Sequence, residues 1–366
     1  MQAESLKKLD HVYQQLEHRI LTGQWKVGDK IPTEAELAVE YHCSRGTVSK
    51  AVARLTHEGM VVRKTRAGTI VTRSTTDHKG PALDLNACAF IYPSDQHEGI
   101  WRIARGFQQM AHQANRRTLM LTTGAEFQQE AEIINRLVEF NVKGAVIYSV
   151  IPNPQEQIHY AQIIQDCPFP VVLVELNIQG TGRPSVVADG LHAGYTVTRH
   201  LLQQGARKIG FVSNYSWVPY MRDRYLGYRQ AMDEAGLSDL QPLVSLAPSM
   251  HPSFDDPLQE PAEVAREYLK QHKDLEGVVC STDFLAHGCV RAAQELGWEV
   301  PKKLKVVGID DYQMLPPLTP ALTSYHIPYE EMGQAAFARF EECLRTGQSD
   351  PTEQQLRGHL VVRASA

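Results

Sequence analysis

A chain of 366 residues, 43 % hydrophobic and 22 % charged, is long enough for two or three domains with cores of their own. Its net charge of −5 argues against nucleic-acid binding by the chain as a whole, yet residues 1–75 hold 12 Lys and Arg against 8 Asp and Glu, and the remainder 25 against 34. A small basic head on a large acidic body is the distribution expected of a DNA reader with a separate sensor. The six cysteines (43, 88, 167, 280, 289 and 343) lack C-x-x-C spacing and read as reduced core thiols. No leader pattern opens the chain and no apolar run reaches membrane-spanning length, so a soluble, cytoplasmic protein is expected, with no membrane partner. The fifteen histidines include no H-E-x-x-H or paired Cys/His set; no metal site and no cofactor are assigned.

In chain order, Val12, Leu16, Ile20 and Leu21 mark a first helix, followed by Gly23-Gln24-Trp25 and the extended stretch Val27 to Pro32. Thr33 with Glu36 three residues later is a capping box, in which each side chain satisfies an orphan backbone N–H. A second helix should therefore begin at Pro32–Thr33, with Leu37, Ala38 and Tyr41 on one apolar face. His42–Cys43 leaves room only for a tight turn. Ser44 can cap a third helix, whose apolar positions Val48, Ala51, Val52 and Leu55 follow the i, i+3, i+4, i+7 rule. Two short helices across a tight turn make a helix-turn-helix. The apolar stripe leaves Gly46, Lys50, Ala53 and His57 pointing away, with Arg45, Thr47 and Ser49 near the exposed first turn. Such a helix can enter a DNA major groove by its N-terminal end: Arg45 can bond a guanine edge or clamp a phosphate, Thr47 can reach either, and Lys50 adds a point charge. Taken alone, the stretch fits equally well a capped amphipathic hairpin with solvated charges.

Beyond Leu55, Glu58–Gly59 leads into Met60-Val61-Val62-Arg63-Lys64, a turn over Thr65–Gly68 and then Thr69-Ile70-Val71. Two strands around a basic turn form a wing of the kind that reaches DNA phosphates, and Arg66 puts a charge at its tip. Over residues 10 to 72 the chain resembles the winged helix of the GntR family of transcriptional regulators, through L-T-G-Q-W, G-D-K-I-P-T-E-x-E-L, S-R-x-T-V, L-x-x-E-G-M-V and G-T-x-V. The resemblance implies DNA contacts at Arg45, Thr47 and Gly68, with Glu34 or Ala35 flanking the hairpin. Ser49 stands where the family often carries Arg, and Arg66 where its wing usually has Gly.

Residues 73–86 are polar, with Gly80–Pro81 and little periodicity. The expected organisation is thus a head over 1–75, a linker over 76–86 and a body over 87–366. From Ala87, short continuous apolar runs alternate with amphipathic helices: Cys88–Tyr92, Thr118–Thr122, Gly144–Tyr148, Val171–Glu175, Ser185–Ala188, Lys208–Val212, Gly277–Ser281 and Val306–Ile309, with a last strand near Gly358–Arg363. Such runs are strands buried on both faces by crossover helices. Their number exceeds one compact sheet, so two doubly wound parallel sheets are expected. The boundaries suggest a first lobe of about 87–189 with 327–348 and a second of about 190–324 with 352–364. Glu130 is expected on a helix surface.

Ligands of open α/β sheets sit at the carboxyl ends of the strands. That places Tyr92 to Asp95 (with Ser94), Tyr148–Ser149, Glu175, Trp217, Thr282–Asp283 and Asp310–Asp311 at the candidate site. Carboxylates and hydroxyls can bond neighbouring polyol hydroxyls, and aromatic faces can cover the C–H side of a sugar ring. Over residues 87 to 364 the body resembles the effector domain of the LacI/GalR family, related to periplasmic sugar-binding proteins. The carrying pieces include P-S-V-V-A-D, R-x-x-G-Y-R-Q-A-M-x-E-A-G-L, C-S-T-D-x-L-A-x-G and V-V-G-I-D-D. The resemblance puts Arg224 on the ligand as a charge-assisted donor, Asp310 among the acceptors, Glu175 in place of a frequent Asp and Thr282 in place of a frequent Asn. Asp311 reads as a turn-former.

Together the two resemblances imply an α+β winged helix-turn-helix followed by an α/β, periplasmic-binding-protein-like domain of two lobes, as in regulators of the arabinose-repressor type. The expected activity is that of a homodimeric transcriptional regulator, a repressor of carbohydrate-use genes whose grip on operator DNA responds to a small sugar. The same architecture sensing a nucleoside or nucleobase is the alternative; no nucleophile elbow or phosphate loop supports an enzyme, and a transport protein would not need the basic head.

Overall fold

The computed structural model describes residues 2–57, 59–64, 68–72, 87–94, 97–124, 127–137, 142–149, 156–213, 218–237, 243–246 and 258–366. The expected linker and the candidate residues Arg66 and Trp217 lie outside them. The chain divides into two compact units, Met1–Ala82 and Leu83–Ala366.

In the first unit, α1 (Gln2–Leu21), α2 (Glu34–Glu40) and α3 (Arg45–His57) are followed by the antiparallel strands β1 (Val61–Lys64) and β2 (Gly68–Val71). Val12, Leu16, Ile20, Leu37, Val48, Ala51, Val52 and Leu55 are all buried in one core, as their helical spacing requires, whereas Leu21 faces solvent. Val61 and Val71 close that core from the wing side.

The second unit holds two six-stranded sheets. In chain order its elements are β3 (Ala87–Tyr92), α4 (Glu98–Gln113), β4 (Arg117–Thr122), α5 (Phe127–Leu137), β5 (Gly144–Tyr148), α6 (Glu156–Asp166), β6 (Val171–Val174) and β7 (Ser185–Ala188). Then come α7 (Gly190–Gln203), β8 (Ile209–Ser213), α8 (Pro219–Glu234), β9 (Val244–Leu246), α9 (Gln259–Gln271), β10 (Gly277–Cys280), α10 (Asp283–Glu295), β11 (Lys305–Asp310), β12 (Thr323–His326), α11 (Tyr329–Thr346), β13 (Glu353–Leu356) and β14 (His359–Val361). The first sheet runs β13-β7-β6-β5-β3-β4 and is wholly parallel; the second runs β14-β12-β11-β10-β8-β9 and is parallel except for β14.

Three crossings join the lobes: β7 into α7, β12 into α11, and β13 into β14. The third corrects the expected boundary. Residues 352–364 do not all belong to the second lobe, because β13 pairs with β7 in the first sheet and only β14 continues into the second. The polar run Glu353-Gln354-Gln355-Leu356 carries no apolar pattern, since it is an edge strand that owes its register to its neighbour. The short strands β9 and β12 also escape sequence reading. Glu130 is a second correction: it is buried at 3 % exposure and accepts a hydrogen bond from Ser149 Oγ at 3.0 Å, so α5 turns that carboxyl inward. All six cysteines are free.

Candidate functional site

The head presents the helix-turn-helix as its capping residues dictate. Thr33 Oγ1 accepts the Glu36 N–H at 3.3 Å and the Glu36 carboxylate accepts the Thr33 N–H at 2.7 Å. Ser44 Oγ accepts the Thr47 N–H at 3.1 Å and starts α3. Arg45 and Lys50 are exposed on the N-terminal half of that helix, with Thr47 half-buried beside them. Gly68 opens β2 at φ 91°, a backbone conformation that favours glycine, and its missing Cβ leaves room for the Lys30 side chain.

Glu34 and Ser49 are engaged differently. Arg63 on β1 donates to Glu34 Oε1 at 2.6 Å, to the Ser49 carbonyl at 3.1 Å and to Ser49 Oγ at 3.3 Å. One guanidinium thus fastens the wing to both helices of the hairpin. Sequence reading leaves Arg63 as one charge of a basic run, because partners 14 and 29 residues away give no local signal.

The second unit gathers a buried charged cluster where the two lobes meet. Arg224 on α8 donates to Asp310 Oδ1 at 2.9 Å and to the Ser281 carbonyl, and the Tyr329 hydroxyl donates to the same Asp310 oxygen at 2.8 Å. Both ends of the pair are 2 % exposed. The helix that carries Arg224 is pressed close against α7, where a Cβ on Gly194 would collide with the Arg224 carbonyl and one on Gly227 with the Leu191 carbonyl. Burial alone would depress Arg224, but Asp310, with help from Glu175, keeps it firmly charged; burial lifts Asp310 above the usual range against the pull of Arg224.

Glu175 completes the cluster. It follows β6 at φ 57° and Asp310 ends β11 at φ 132°, both in the region that non-glycine residues avoid. Such backbone costs of order 1–3 kcal/mol and gathers at ligand sites. Burial pushes the Glu175 carboxyl up to about 7, with Arg224 pulling the other way. Its Oε2 has no hydrogen-bond partner, nor does Arg224 Nε. A buried polar atom left unpaired costs about 1–3 kcal/mol, which a bound polar molecule could recover.

Tyrosines surround these charges. Tyr220 lies 5.5 Å from the Arg224 guanidinium carbon and hydrogen-bonds with Tyr148, while Tyr312 stacks on Tyr329 with ring centroids 6.1 Å apart. Of the sequence candidates, Tyr148, Glu175, Arg224 and Asp310 come together. Tyr220, Tyr312 and Tyr329 were missed, although Tyr312 is two residues past Asp310, Tyr329 begins α11 and Tyr220 is the second residue of α8.

Thr282 is chiefly a helix cap, its Oγ1 accepting the Leu285 N–H at 3.3 Å. Its neighbour Asp283 accepts from Ser324 Oγ at 2.6 Å and from the Tyr312 N–H at 2.9 Å, with burial holding it at about 7. Asp311 takes the turn position at φ 55°. Burial would raise it, but hydrogen bonds from His326 and Arg363 bring it down to about 2. Tyr92 packs in the core, 5.4 Å from Phe90, and Ser94 lies half-buried two residues past β3.

A latch spans the lobes beside the cluster. Glu98, at the start of α4 in the first lobe, accepts the N–H groups of Gln313 and Met314 of the second at 2.9 and 2.7 Å. The adjacent His97 ring sits 5.4 Å from Phe284 and 5.5 Å from Tyr312, and burial depresses its imidazole to about 4. These contacts can form only when the lobes are close.

Residues 8–71 match the family model for bacterial regulatory proteins of the gntR family, and residues 198–366 the periplasmic binding protein-like domain. The chain is 26 % identical over 372 residues to the arabinose metabolism transcriptional repressor of Geobacillus stearothermophilus, covering 100 % of this chain and 99 % of that one. A protein of the same name from Halalkalibacterium halodurans is 28 % identical over 377 residues, 98 % of this chain and 96 % of that one. The solved structure of the transcriptional regulator CelR in complex with cellobiose shares the fold, with a TM-score of 0.68 at 21 % identity over 92 % of this chain and 100 % of that one. Among the described residues no helix is long and apolar enough to cross a membrane. The chain is thus a transcription regulator that joins a gntR-type helix-turn-helix DNA-binding domain to a periplasmic-binding-protein-like effector domain.

Proposed function

We propose that this regulator is a cytoplasmic homodimer that represses carbohydrate-use genes, and that a sugar held between the lobes of its effector domain changes its binding to operator DNA. The observation that carries the reading is the cluster of Arg224, Asp310 and Glu175, buried among tyrosines with one Glu175 oxygen and one Arg224 nitrogen unpaired. Sugar hydroxyls donate and accept at once, so they can bond a carboxylate and a guanidinium together while a ring face covers the C–H side. The names of the two relatives identical over nearly the whole chain at 26 % and 28 % favour a sugar over other metabolites. At the head, Arg45, Thr47 and Lys50 read the operator, with Glu34, Ser49, Arg66 and Gly68 at the margin of the contact.

The coupling is a population shift. A ligand bonded to both lobes favours the arrangement in which the Glu98 latch is made, and it moves the operator equilibrium only as far as it prefers that arrangement. Thermal unfolding of the full chain against pentoses, hexoses, sugar alcohols, sugar phosphates and nucleosides tests this. Ligand at 100 times its dissociation constant adds about 2.7 kcal/mol, a shift of several degrees. A response confined to sugars, with altered operator binding by the same sugar, is expected. A response to nucleosides alone overturns the sugar assignment.

A further inference from the structure

We infer that the effector is larger than one sugar ring: a neutral di- or oligosaccharide, or a glycoside, whose second unit lies in a side cleft that shares Glu175 and Tyr220 with the buried cluster. This rests on the sugar reading above and specifies its ligand.

The cleft measures about 820 Å³. It lies between α6, the paired strands β7 and β13, and the first turn of α8. Glu175 and Tyr220 form part of its lining and also belong to the buried cluster, so the cleft and the cluster share a wall. Glu175, the residue common to both, is the one whose buried Oε2 has no hydrogen-bond partner. The volume lies toward the upper end of the range of about 300–1,000 Å³ that holds drug-sized ligands, far more than one pyranose ring fills.

Its lining is chemically specific. Gln157, Gln162 and Gln165 line it from α6, Asn177 and Gln179 from the loop after β6, and Gln355 from β13. Each side-chain amide carries two N–H donors and a carbonyl acceptor, which suits pairs of adjacent hydroxyls, although Asn177 and Gln355 each spend one donor on Glu353, at 2.6 and 2.7 Å. The charged groups leave no place for an anion. Arg222 is neutralised by Asp223 at 3.0 Å, and Glu353, already accepting from Asn177 at 2.6 Å, adds a negative charge. A sugar phosphate or uronic acid would meet net repulsion here, whereas a neutral glycosyl unit meets amides and carboxylate acceptors beside apolar side chains such as Ile158 and Ile178.

The test compares one monosaccharide that binds with its di- and trisaccharides, by calorimetry on the full chain and on a Gln162→Ala/Gln355→Ala double variant. Both side chains are exposed, so the variant keeps the fold. The disaccharide should bind at least about tenfold tighter than the monosaccharide. The variant should lose most of that gain, about tenfold for two hydrogen bonds, while its affinity for the monosaccharide stays unchanged. Equal affinity for mono- and disaccharide, or a disaccharide gain that survives in the variant, overturns the proposal and leaves the sugar reading standing. Binding of no sugar of any length, with binding of another metabolite class, overturns both.

Discussion

The charged side chains on α3 and those around Asp310 are the same functional groups under opposite solvation. Arg45 and Lys50 stand in water on a helix whose stability comes from its other face, where Val48, Ala51, Val52 and Leu55 are buried. Arg224 and Asp310 have no water and hold each other. An exposed charge can be exchanged with little effect on the fold, because solvent screens it in the free protein. A buried pair is different: each partner is the other's solvation, so neither can be removed without leaving an uncompensated ion. Charge and fold are therefore separable on α3 and inseparable in the buried cluster.

That contrast is most sharply tested at Arg224. Arg224→Ala should cost the effector domain about 3–5 kcal/mol, read as a large fall in its melting temperature, because Asp310 is left buried and alone. The double replacement Arg224→Met with Asp310→Leu should recover most of the stability and none of the ligand response. A melting temperature untouched by Arg224→Ala would mean that the pair does not hold the lobe.

Glu175 sharpens the comparison through pH. Its folded value of about 7 lies above the ordinary 4.5, so the protonated form is favoured by folding. Its contribution to stability is fully present below about pH 4.5 and is lost as the pH rises through about 7. Asp283, also held near 7 against 3.8, acts with the same sign. The unliganded effector domain should melt at falling temperature between about pH 5 and pH 8, and Glu175→Gln should flatten part of that fall. A slope identical in the variant would show that Glu175 is solvated in the free protein.

The smallest effect on the fold belongs to the head. Arg45→Ala should weaken operator binding by about 1–3 kcal/mol in a fluorescence-anisotropy titration, with unfolding unchanged. Full operator affinity would remove Arg45 from recognition, and lost stability would break the claimed separation.

The winged head was legible almost residue by residue because its signals are local. A cap satisfies an N–H three residues on, and an apolar stripe repeats within one helix, so Thr33, Glu36, Ser44 and the core of α3 can be read from adjacent positions. The strand-end rule found Tyr148, Glu175 and Asp310 in the effector domain for a related reason, since continuous apolar runs mark buried parallel strands. The rule failed where strands were short or polar. It missed β13, and with it the Gln355 wall of the side cleft, because an edge strand of Glu and Gln carries no periodic signal.

By itself the sequence determined two units, the capped helix pair, the alternation of strands and helices, and the residues at strand ends. These follow from backbone hydrogen bonding and from which side chains must leave water within a few residues of one another. Only the tertiary structure decided that Arg63 ties the wing to Glu34 and Ser49, that Glu98 latches one lobe to the other, and that Thr282 serves as a cap. It also decided that Tyr220 and Tyr329 join Glu175, Arg224 and Asp310. Apart from the Thr282 cap, those contacts join residues tens to hundreds of positions apart, and their energies depend on burial and distance, quantities that exist only once the chain has folded.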